Sequence, residues 1–102
     1  MPLSSQQIRS LRAESHRLKL KPVVIIGQQG LSENVLNELQ SALTHHELMK
    51  VRIPALDKTE KKAFIGEVCQ RLQAELIQTI GHIIVIFRQN PDNRRFERLL
   101  KA

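Results

Sequence analysis

The chain has 102 residues, a formal net charge of +6 and one cysteine, Cys69, which together indicate one small basic domain without an internal disulfide. Its 41% apolar content suffices for a globular core, and no apolar run approaches the ~20 residues of a membrane span. The first residues do not resemble a signal peptide, and the single cysteine fits a reducing compartment, so we expect a cytoplasmic protein.

The positive charge is concentrated towards the two ends of the chain. Residues 1–22 carry five basic and one acidic residue, and residues 88–102 carry five basic and two acidic residues. The middle, 23–87, has six basic and seven acidic residues, so it is slightly negative. Many soluble proteins are basic, so placement of the charge is more informative than its total. Residues from about 94 to 102 form a basic tail of the single domain.

The first predicted element is a helix over about residues 4–18, with Ser4 or Ser5 as its N-cap. One side of this helix is apolar, and another side carries a basic stripe at helical spacing. The stripe consists of Arg9, Arg12, His16 and Lys19. An isolated stripe of this kind is commonly a solvated face, so it becomes a contact surface only if other features support it. Pro22 then forces Lys21 into an extended conformation and marks the entry to the first strand.

A glycine-bracketed turn follows the first strand. Four β-branched residues at 23–26 predict a buried strand, and Gly27-Gln28-Gln29-Gly30 separates them from a helix that begins at Ser32. Glycine lets a backbone come close to another molecule, and the helix N-terminus favours an anion there. The spacing fits neither a dinucleotide fingerprint nor a P-loop. The alternatives are a tight turn without further role and a loop that contacts nucleic-acid phosphate.

The remaining elements follow from hydrophobic periodicity and capping residues. They are a helix over about 33–45, a strand over 48–53, a helix from 57 or 59 to about 79, a strand over 83–87 and a short strand near 95–98. Gly81 is expected to end the third helix as a C-cap. The last segment is ambiguous, because Phe96, Leu99 and Leu100 fit a helix as well as a strand.

The order αβαβαβ(β) predicts an α/β sandwich with a small, mostly parallel sheet. In such a sheet the loops 27–31, 54–58 and 88–94 lie at one end, where open α/β sheets bind ligands. Six cations would then surround the glycines: Lys58, Lys61, Lys62, Arg88, Arg94 and Arg95. The opposite end would gather His45, His46, Glu47 and His82, which we interpret as helix-capping residues rather than metal ligands.

No set of residues indicates catalysis. Cys69 lies beside the apolar stripe of the third helix, where burial makes a thiol inert. No Ser, Cys or Asp has a credible base and orienting partner, so we expect neither an enzyme nor a cofactor. The chain has three Phe and no Trp or Tyr, which disfavours base stacking on aromatic rings. Clamping of the RNA backbone, as in folded or duplex RNA, is the more plausible mode of binding.

Three linked segments resemble the CRM domain, the chloroplast RNA splicing and ribosome maturation domain. They are Lys21-Pro22-Val23-Val24-Ile25-Ile26-Gly27-Gln28-Gln29-Gly30-Leu31, then His45-His46-Glu47-Leu48-Met49-Lys50-Val51, and finally Ile80-Gly81-His82 with Ile86-Phe87-Arg88. The resemblance covers about residues 4–98 and implies an RNA-binding fold similar to the C-terminal domain of translation initiation factor three. It also likens the glycine loop to the RNA-contacting loop of KH domains. The tail departs from the family pattern, because it is more basic and lacks a Leu-Pro ending.

The resemblance also implies a function, because free-standing bacterial members of the family associate with precursors of the large ribosomal subunit. We therefore expect a monomeric, non-enzymatic protein that binds structured ribosomal RNA, without metal, small-molecule substrate or membrane. The expected contacts are the loop Gly27, Gln28, Gln29 and Gly30, the six cations named above, and Arg9, Arg12, Lys19 and Lys21. The alternative is an interaction adaptor whose basic faces bind acidic protein surfaces.

Overall fold

The computed structural model describes residues 3–92 and 94–100 and arranges them as an α/β fold around one four-stranded sheet. In chain order its elements are α1 (Ser5–Arg17), β1 (Pro22–Ile25), α2 (Glu33–His46), β2 (Leu48–Arg52), α3 (Lys58–Leu72), β3 (Glu75–Ile80), β4 (Ile83–Phe87) and α4 (Glu97–Leu100). Helices α2 and α3 pack on the first face of the sheet, and α1 and α4 pack on the second. The predicted α/β class is confirmed.

The three long helices begin at side chains that cap their free N–H groups. In α1, Ser4 and Gln7 form a reciprocal capping box, and Asp57 and Glu60 form another in α3. The Ser32 hydroxyl accepts a hydrogen bond of 3.2 Å from a backbone N–H in the first turn of α2. These local signals explain why the predicted starts of the helices agree with the structure.

The sheet is mixed rather than mostly parallel, which corrects the predicted topology. Its strand order is β1-β2-β4-β3, with β1 parallel to β2 and with β4 antiparallel to both β2 and β3. The reason is that a strand, not the end of a helix, precedes β4. We call the end where β1 and β2 terminate, at Ile25 and Arg52, the glycine end. The end where β2 begins and β4 terminates, at Leu48 and Phe87, is the tail end.

The third helix ends earlier than predicted, at Leu72 rather than near residue 79. Gln73 follows it in the left-handed conformation, and the chain then enters β3. These residues form a strand rather than a longer helix, because the N–H and C=O groups along one side of β4 would otherwise be unpaired. Gly81, predicted as a helix cap, instead lies in the β3–β4 hairpin turn with φ +58°.

The last described segment is a helical turn, so the predicted strand near 95–98 is wrong. Phe96 packs edge-on against Phe87 with ring centroids 6.2 Å apart. Leu99 and Leu100 join the same cluster, and their spacing from Phe96 is that of one helix face. Residues 101–102 of the predicted basic tail, and Asn93 of the predicted turn at 90–93, lie outside the described residues.

Candidate functional site

The Gly27–Gly30 loop forms a tight turn at the glycine end, directly between β1 and α2. The Gly30 N–H donates to the Gly27 carbonyl at 3.0 Å, and the Ser32 N–H donates to the Gly30 carbonyl at 3.1 Å. Gln28 and Gln29 occupy the tip of the turn and are exposed to solvent. The main chain of this loop is thus presented outwards at the N-terminus of a helix, as predicted.

The two glycines of the loop differ in what the fold demands of them. Gly30 has φ +76°, a conformation that an L-residue adopts only at a cost, so the turn itself requires glycine there. Gly27 has no positive φ, and a Cβ atom built on it would meet no atom within 4 Å. The fold therefore does not require glycine at position 27. The missing side chain leaves room beside the backbone for a binding partner.

The electrostatics next to the loop are mixed. The N-terminus of α2 presents the positive end of its dipole towards the loop, which attracts an anion. Glu33 lies in the first turn of α2 and is exposed, so its carboxylate offsets part of this attraction. At the start of α3, the carboxylates of Asp57 and Glu60 are engaged in their capping box. Additional cations are therefore needed for strong binding of a polyanion.

Three of the six predicted cations are at the glycine end, on the first turns of α3. The Lys61 ammonium donates to the Gly81 carbonyl and so connects α3 to the hairpin turn. Lys58 and Lys62 are exposed and line a groove between α3 and β3. The loop approaches α3 on its other flank, where Phe64 lies 3.9 Å from the position of a Gly30 Cβ atom. These lysines share an end with the loop but do not ring it.

The other three predicted cations, Arg88, Arg94 and Arg95, are at the tail end, so the predicted convergence is wrong for them. The antiparallel direction of β4 carries the loop after it away from the glycines. The Arg88 guanidinium is half-buried and donates to the Gln40 amide oxygen at 2.5 Å and the Leu72 carbonyl at 2.7 Å. Burial lowers the pKa of Arg88, which remains a structural contact between α2 and the end of α3.

A buried carboxylate holds the segment that carries Arg94 and Arg95. Glu47 is 1% exposed, and its carboxylate accepts backbone N–H bonds from Asn90 at 2.8 Å and Arg95 at 3.0 Å. The Arg94 guanidinium approaches Glu97 at 3.5 Å. The Arg95 side chain lines a shallow polar pocket with His45 and other residues of α2. The tail end is therefore a second basic region, separated from the loop by the length of the sheet.

The histidines do not gather as predicted. His45 and His46 end α2 at the tail end, with ring centroids 4.8 Å apart. Burial lowers the pKa of His46, and the neighbouring charges of His45 and Arg95 lower it further. His82 is at the glycine end, where its carbonyl accepts the Ile53 N–H at 2.8 Å, so its predicted placement is wrong.

The four predicted contacts of the N-terminal part are all exposed. Arg9 and Arg12 lie on α1, whereas Lys19 and Lys21 lie on the connection to β1, in which Lys19 has φ 53°. Arg17 of the same helix is engaged with Glu14 at 2.6 Å, and Arg98 of α4 reaches that carboxylate at 3.1 Å. The hydrogen bond from Arg17 and the nearby charges lower the pKa of Glu14 despite its burial.

Two further cations, Lys50 and Arg52, lie on the second face of the sheet and were not among the predicted contacts. Arg52 is exposed and Lys50 is half-buried. The alternation of polar and apolar residues along 48–53 is the signal that could have found them, because it places both side chains on one face of β2.

Several other kinds of site find no support in the described part of the chain. Among residues 3–92 and 94–100, no group of three or more His, Cys, Asp or Glu side chains is placed to hold a metal ion. Burial and the charge of Glu75 raise the pKa of the Cys69 thiol, as expected for a packing residue. No helix within the described ranges is long and apolar enough to cross a membrane.

The fold and the site define a class: small α/β domains in which a strand, a Gly-x-x-Gly turn and a helix stand at one end of a mixed four-stranded sheet. The chain belongs to the CRS1/YhbY (CRM) domain family, whose model matches residues 3–88. The resemblance noted from the sequence is thereby confirmed.

Relatives of similar length support this assignment. The chain is 36% identical to "Probable RNA-binding protein PA4753" of Pseudomonas aeruginosa, covering 89% of this chain and 86% of that protein. It is 40% identical to an "RNA-binding protein" of Haemophilus influenzae, covering 88% of this chain and 89% of the relative. The solution structure of SAV1595 from Staphylococcus aureus is similar, with a TM-score of 0.73 and 32% identity over 85% of this chain and 88% of the other.

Proposed function

We propose that this protein binds structured RNA through the Gly27–Gly30 loop and acts, without catalysis, in assembly of the large ribosomal subunit. The observation that carries the proposal is Gly27, a glycine on the exposed turn before α2 that neither a positive φ nor a nearby atom requires. Membership of the CRM family and the names of the relatives as RNA-binding proteins support RNA as the partner. The proposed role in assembly of the large ribosomal subunit rests on the resemblance to free-standing bacterial members of the family.

The distribution of cations favours a folded RNA over a single phosphate group. The predicted basic contacts fall on three parts of the surface: α1 with its exit, the start of α3, and the tail end. The molecule measures 38 × 26 × 25 Å, so one phosphate cannot bridge these parts. A structured RNA can present several phosphates over such distances. The affinity of the protein for such an RNA should then fall steeply as the salt concentration rises.

The residues proposed to contact RNA fall into the same three groups. They are Gly27, Gln28, Gln29 and Gly30 with Lys58, Lys61 and Lys62 at the glycine end; Arg9, Arg12, Lys19 and Lys21 on α1 and its exit; and Arg94 and Arg95 at the tail end. Arg88 contributes mainly through the helix contacts that it makes inside the protein.

A charge-reversal experiment tests the role of the loop. Replacing Gln28 and Gln29 together by Asp places two carboxylates at the exposed tip of the turn, where they repel RNA phosphate. We expect the affinity for a large-subunit ribosomal RNA fragment to fall by about tenfold or more, measured by fluorescence anisotropy. The matched control is Asn37→Asp with Gln70→Glu, which adds the same charge to exposed faces of α2 and α3.

Two outcomes would contradict the proposal. Equal losses in the loop variant and the control would show only a net-charge effect and would remove the loop from the binding site. Association with the ribosomal precursor that survives complete nuclease digestion would favour the adaptor alternative, in which the basic faces bind protein.

A further inference from the structure

One row of side chains crosses the second face of the sheet near the glycine end. The strand register places Ile25 opposite Arg52, Arg52 opposite Ile83, and Ile83 opposite Ile80. Residues that are directly opposite in a sheet share a face. Their neighbours along the strands, such as Val24, Val51 and Ile84, belong to the core on the first face, so this row lies on the second.

Helix α1 covers only the other half of this face. The cluster beneath it contains Leu48, Val85 and Phe87, which lie towards the tail end. The row at the glycine end has no such cover: Ile25 is 66% exposed and Ile80 is 39% exposed. We call the residues Ile25, Lys50, Arg52, Ile80 and Ile83 the open half-face.

The open half-face is basic as well as apolar. Within the described part of the chain, the side chains of Lys50 and Arg52 make neither a hydrogen bond nor an ion pair. The row of Arg52 and the next row, in which Lys50 and Gln78 lie on either side of Val85, contain no acidic residue. Two unpaired cations among exposed isoleucines make a surface suited to a ligand with both negative charges and apolar faces.

Helix α1 adds a cation at the border of this surface. The side of α1 that faces α4 is identified by two hydrogen bonds between these helices. The Gln7 amide donates to the Leu100 carbonyl at 2.8 Å, and the Arg98 guanidinium donates to the Glu14 carboxylate at 3.1 Å. Successive helix positions rotate by about 100°, so Arg12 lies about 100° beyond the buried Leu11, on the flank away from α4. Because α4 is at the tail end, this flank faces the open half-face.

We propose that the open half-face binds a short single-stranded RNA segment that continues from the structured RNA held at the Gly27–Gly30 loop. The exposed Arg52 guanidinium provides a plane on which a base stacks, and Ile25 and Ile83 pack on either side of it. Phosphates of the segment are neutralised by Lys50 and Arg12. An arginine plane thus substitutes for the aromatic platforms that this sequence lacks.

Continuity with the loop favours RNA over other occupants. Ile25 precedes Gly27 by only two residues, so a strand gripped at the loop passes directly onto this surface. A second copy of the chain would bring Arg52 and Lys50 against like charges. An acidic apolar peptide would satisfy the same chemistry, and we make it an outcome of the test. The inference rests on the proposed function, because it assumes that the loop holds RNA.

The test compares a blunt RNA hairpin with the same hairpin carrying a single-stranded uridine extension of about six nucleotides at either end. We expect the wild-type protein to bind one of the extended hairpins about tenfold more tightly than the blunt one. Arg52→Gln removes the charge and the stacking plane, so it should abolish this difference while leaving affinity for the blunt hairpin unchanged. Ile25→Ser, at a second exposed position, should reduce the difference in the same direction.

Arg71→Gln is the matched control, because it removes one exposed arginine charge from α3. If neither extension raises the affinity of the wild-type protein, or if Arg52→Gln weakens blunt and extended hairpins equally, the open half-face is not a single-strand site. If the wild-type protein binds no RNA at all, the proposed function itself fails. A last measurement uses an acidic glutamate-leucine peptide. If this peptide binds the wild-type protein, is displaced by neither extended hairpin and no longer binds the Arg52→Gln variant, the surface is a protein-binding site and the inference is overturned.

Discussion

Residue 30 needs a left-handed backbone, whereas residue 27 does not, although both are glycines of one short turn. A glycine required by φ reports on the fold, whereas Gly27, on an exposed turn before a helix, has neither a positive φ nor a nearby atom and is not required by the fold. Gly66 shares both properties with Gly27 but lies in the exposed part of α3, where glycine weakens a helix. The same residue type therefore has three different physical meanings in this chain.

Alanine substitutions separate these meanings. Gly30→Ala should lower the free energy of unfolding by about 1 kcal/mol, because alanine is strained at φ +76°. Gly27→Ala should leave stability close to wild type and weaken RNA binding, because the new methyl group occupies space that the RNA backbone uses. Urea unfolding and RNA titration of the same preparations measure both effects.

Gly66→Ala serves as the control for these two variants. It should raise stability by about 0.5–1 kcal/mol through helix propensity and leave RNA affinity unchanged. Wild-type RNA affinity in the Gly27→Ala variant would refute the assignment of this glycine to the binding site.

At the scale of elements, the turn from α2 into β2 and the segment after β4 depend on one side chain. The Glu47 carboxylate is buried and accepts two backbone N–H bonds from a segment that the sequence suggested would lie elsewhere. Hydrogen bonds to the Glu47 carboxylate, rather than pairing with a strand, therefore hold the irregular segment after β4 in place. The position of Arg94 and Arg95 on the surface is therefore set by Glu47.

Glu47→Gln should loosen this segment. An amide can accept only one of the two bonds well and presents a donor to the other N–H, so we expect a loss of about 2 kcal/mol in stability. Hydrogen exchange of the Asn90 and Arg95 amides should accelerate more than that of the sheet amides. Glu38→Gln, on the exposed side of α2, should change neither quantity. Unaltered protection of the two amides would show that Glu47 does not hold the segment.

The sequence predicted the elements that are defined locally and failed where pairing partners decide. Helix starts at Ser4, Ser32 and Asp57 depend on residues within one turn, and they were predicted. Leu76 continues the four-residue spacing of Leu72, so a helix pattern concealed β3. Because β3 was missed, the predicted direction of β4 was the reverse of the observed one, and the loop after β4 was predicted at the wrong end of the sheet. The error in the site therefore followed from an error in topology rather than in chemistry.

For the whole molecule, two titrating groups in different parts of the fold link stability to pH. The pKa of His46 is lowered from 6.5 by burial and by nearby His45 and Arg95, so this imidazole takes up a proton less readily in the folded state than in the unfolded chain. The pKa of Glu14 is lowered from 4.5, chiefly by its hydrogen bond from Arg17. In both cases the unfolded chain binds protons more readily, so stability falls as pH falls.

The loss should occur in two steps with different causes. Between pH 6.5 and the lower folded-state pKa of His46, protonation of the unfolded chain removes the contribution of His46. Below pH 4.5 the contribution of Glu14 is lost in the same way. Thermal unfolding across this range should therefore show a flatter upper step in His46→Gln and a flatter lower step in Glu14→Gln. His16→Gln, on the exposed side of α1, is the control and should retain both steps. An upper step that persists unchanged in His46→Gln would locate the proton uptake at another group and contradict this account of the tail end.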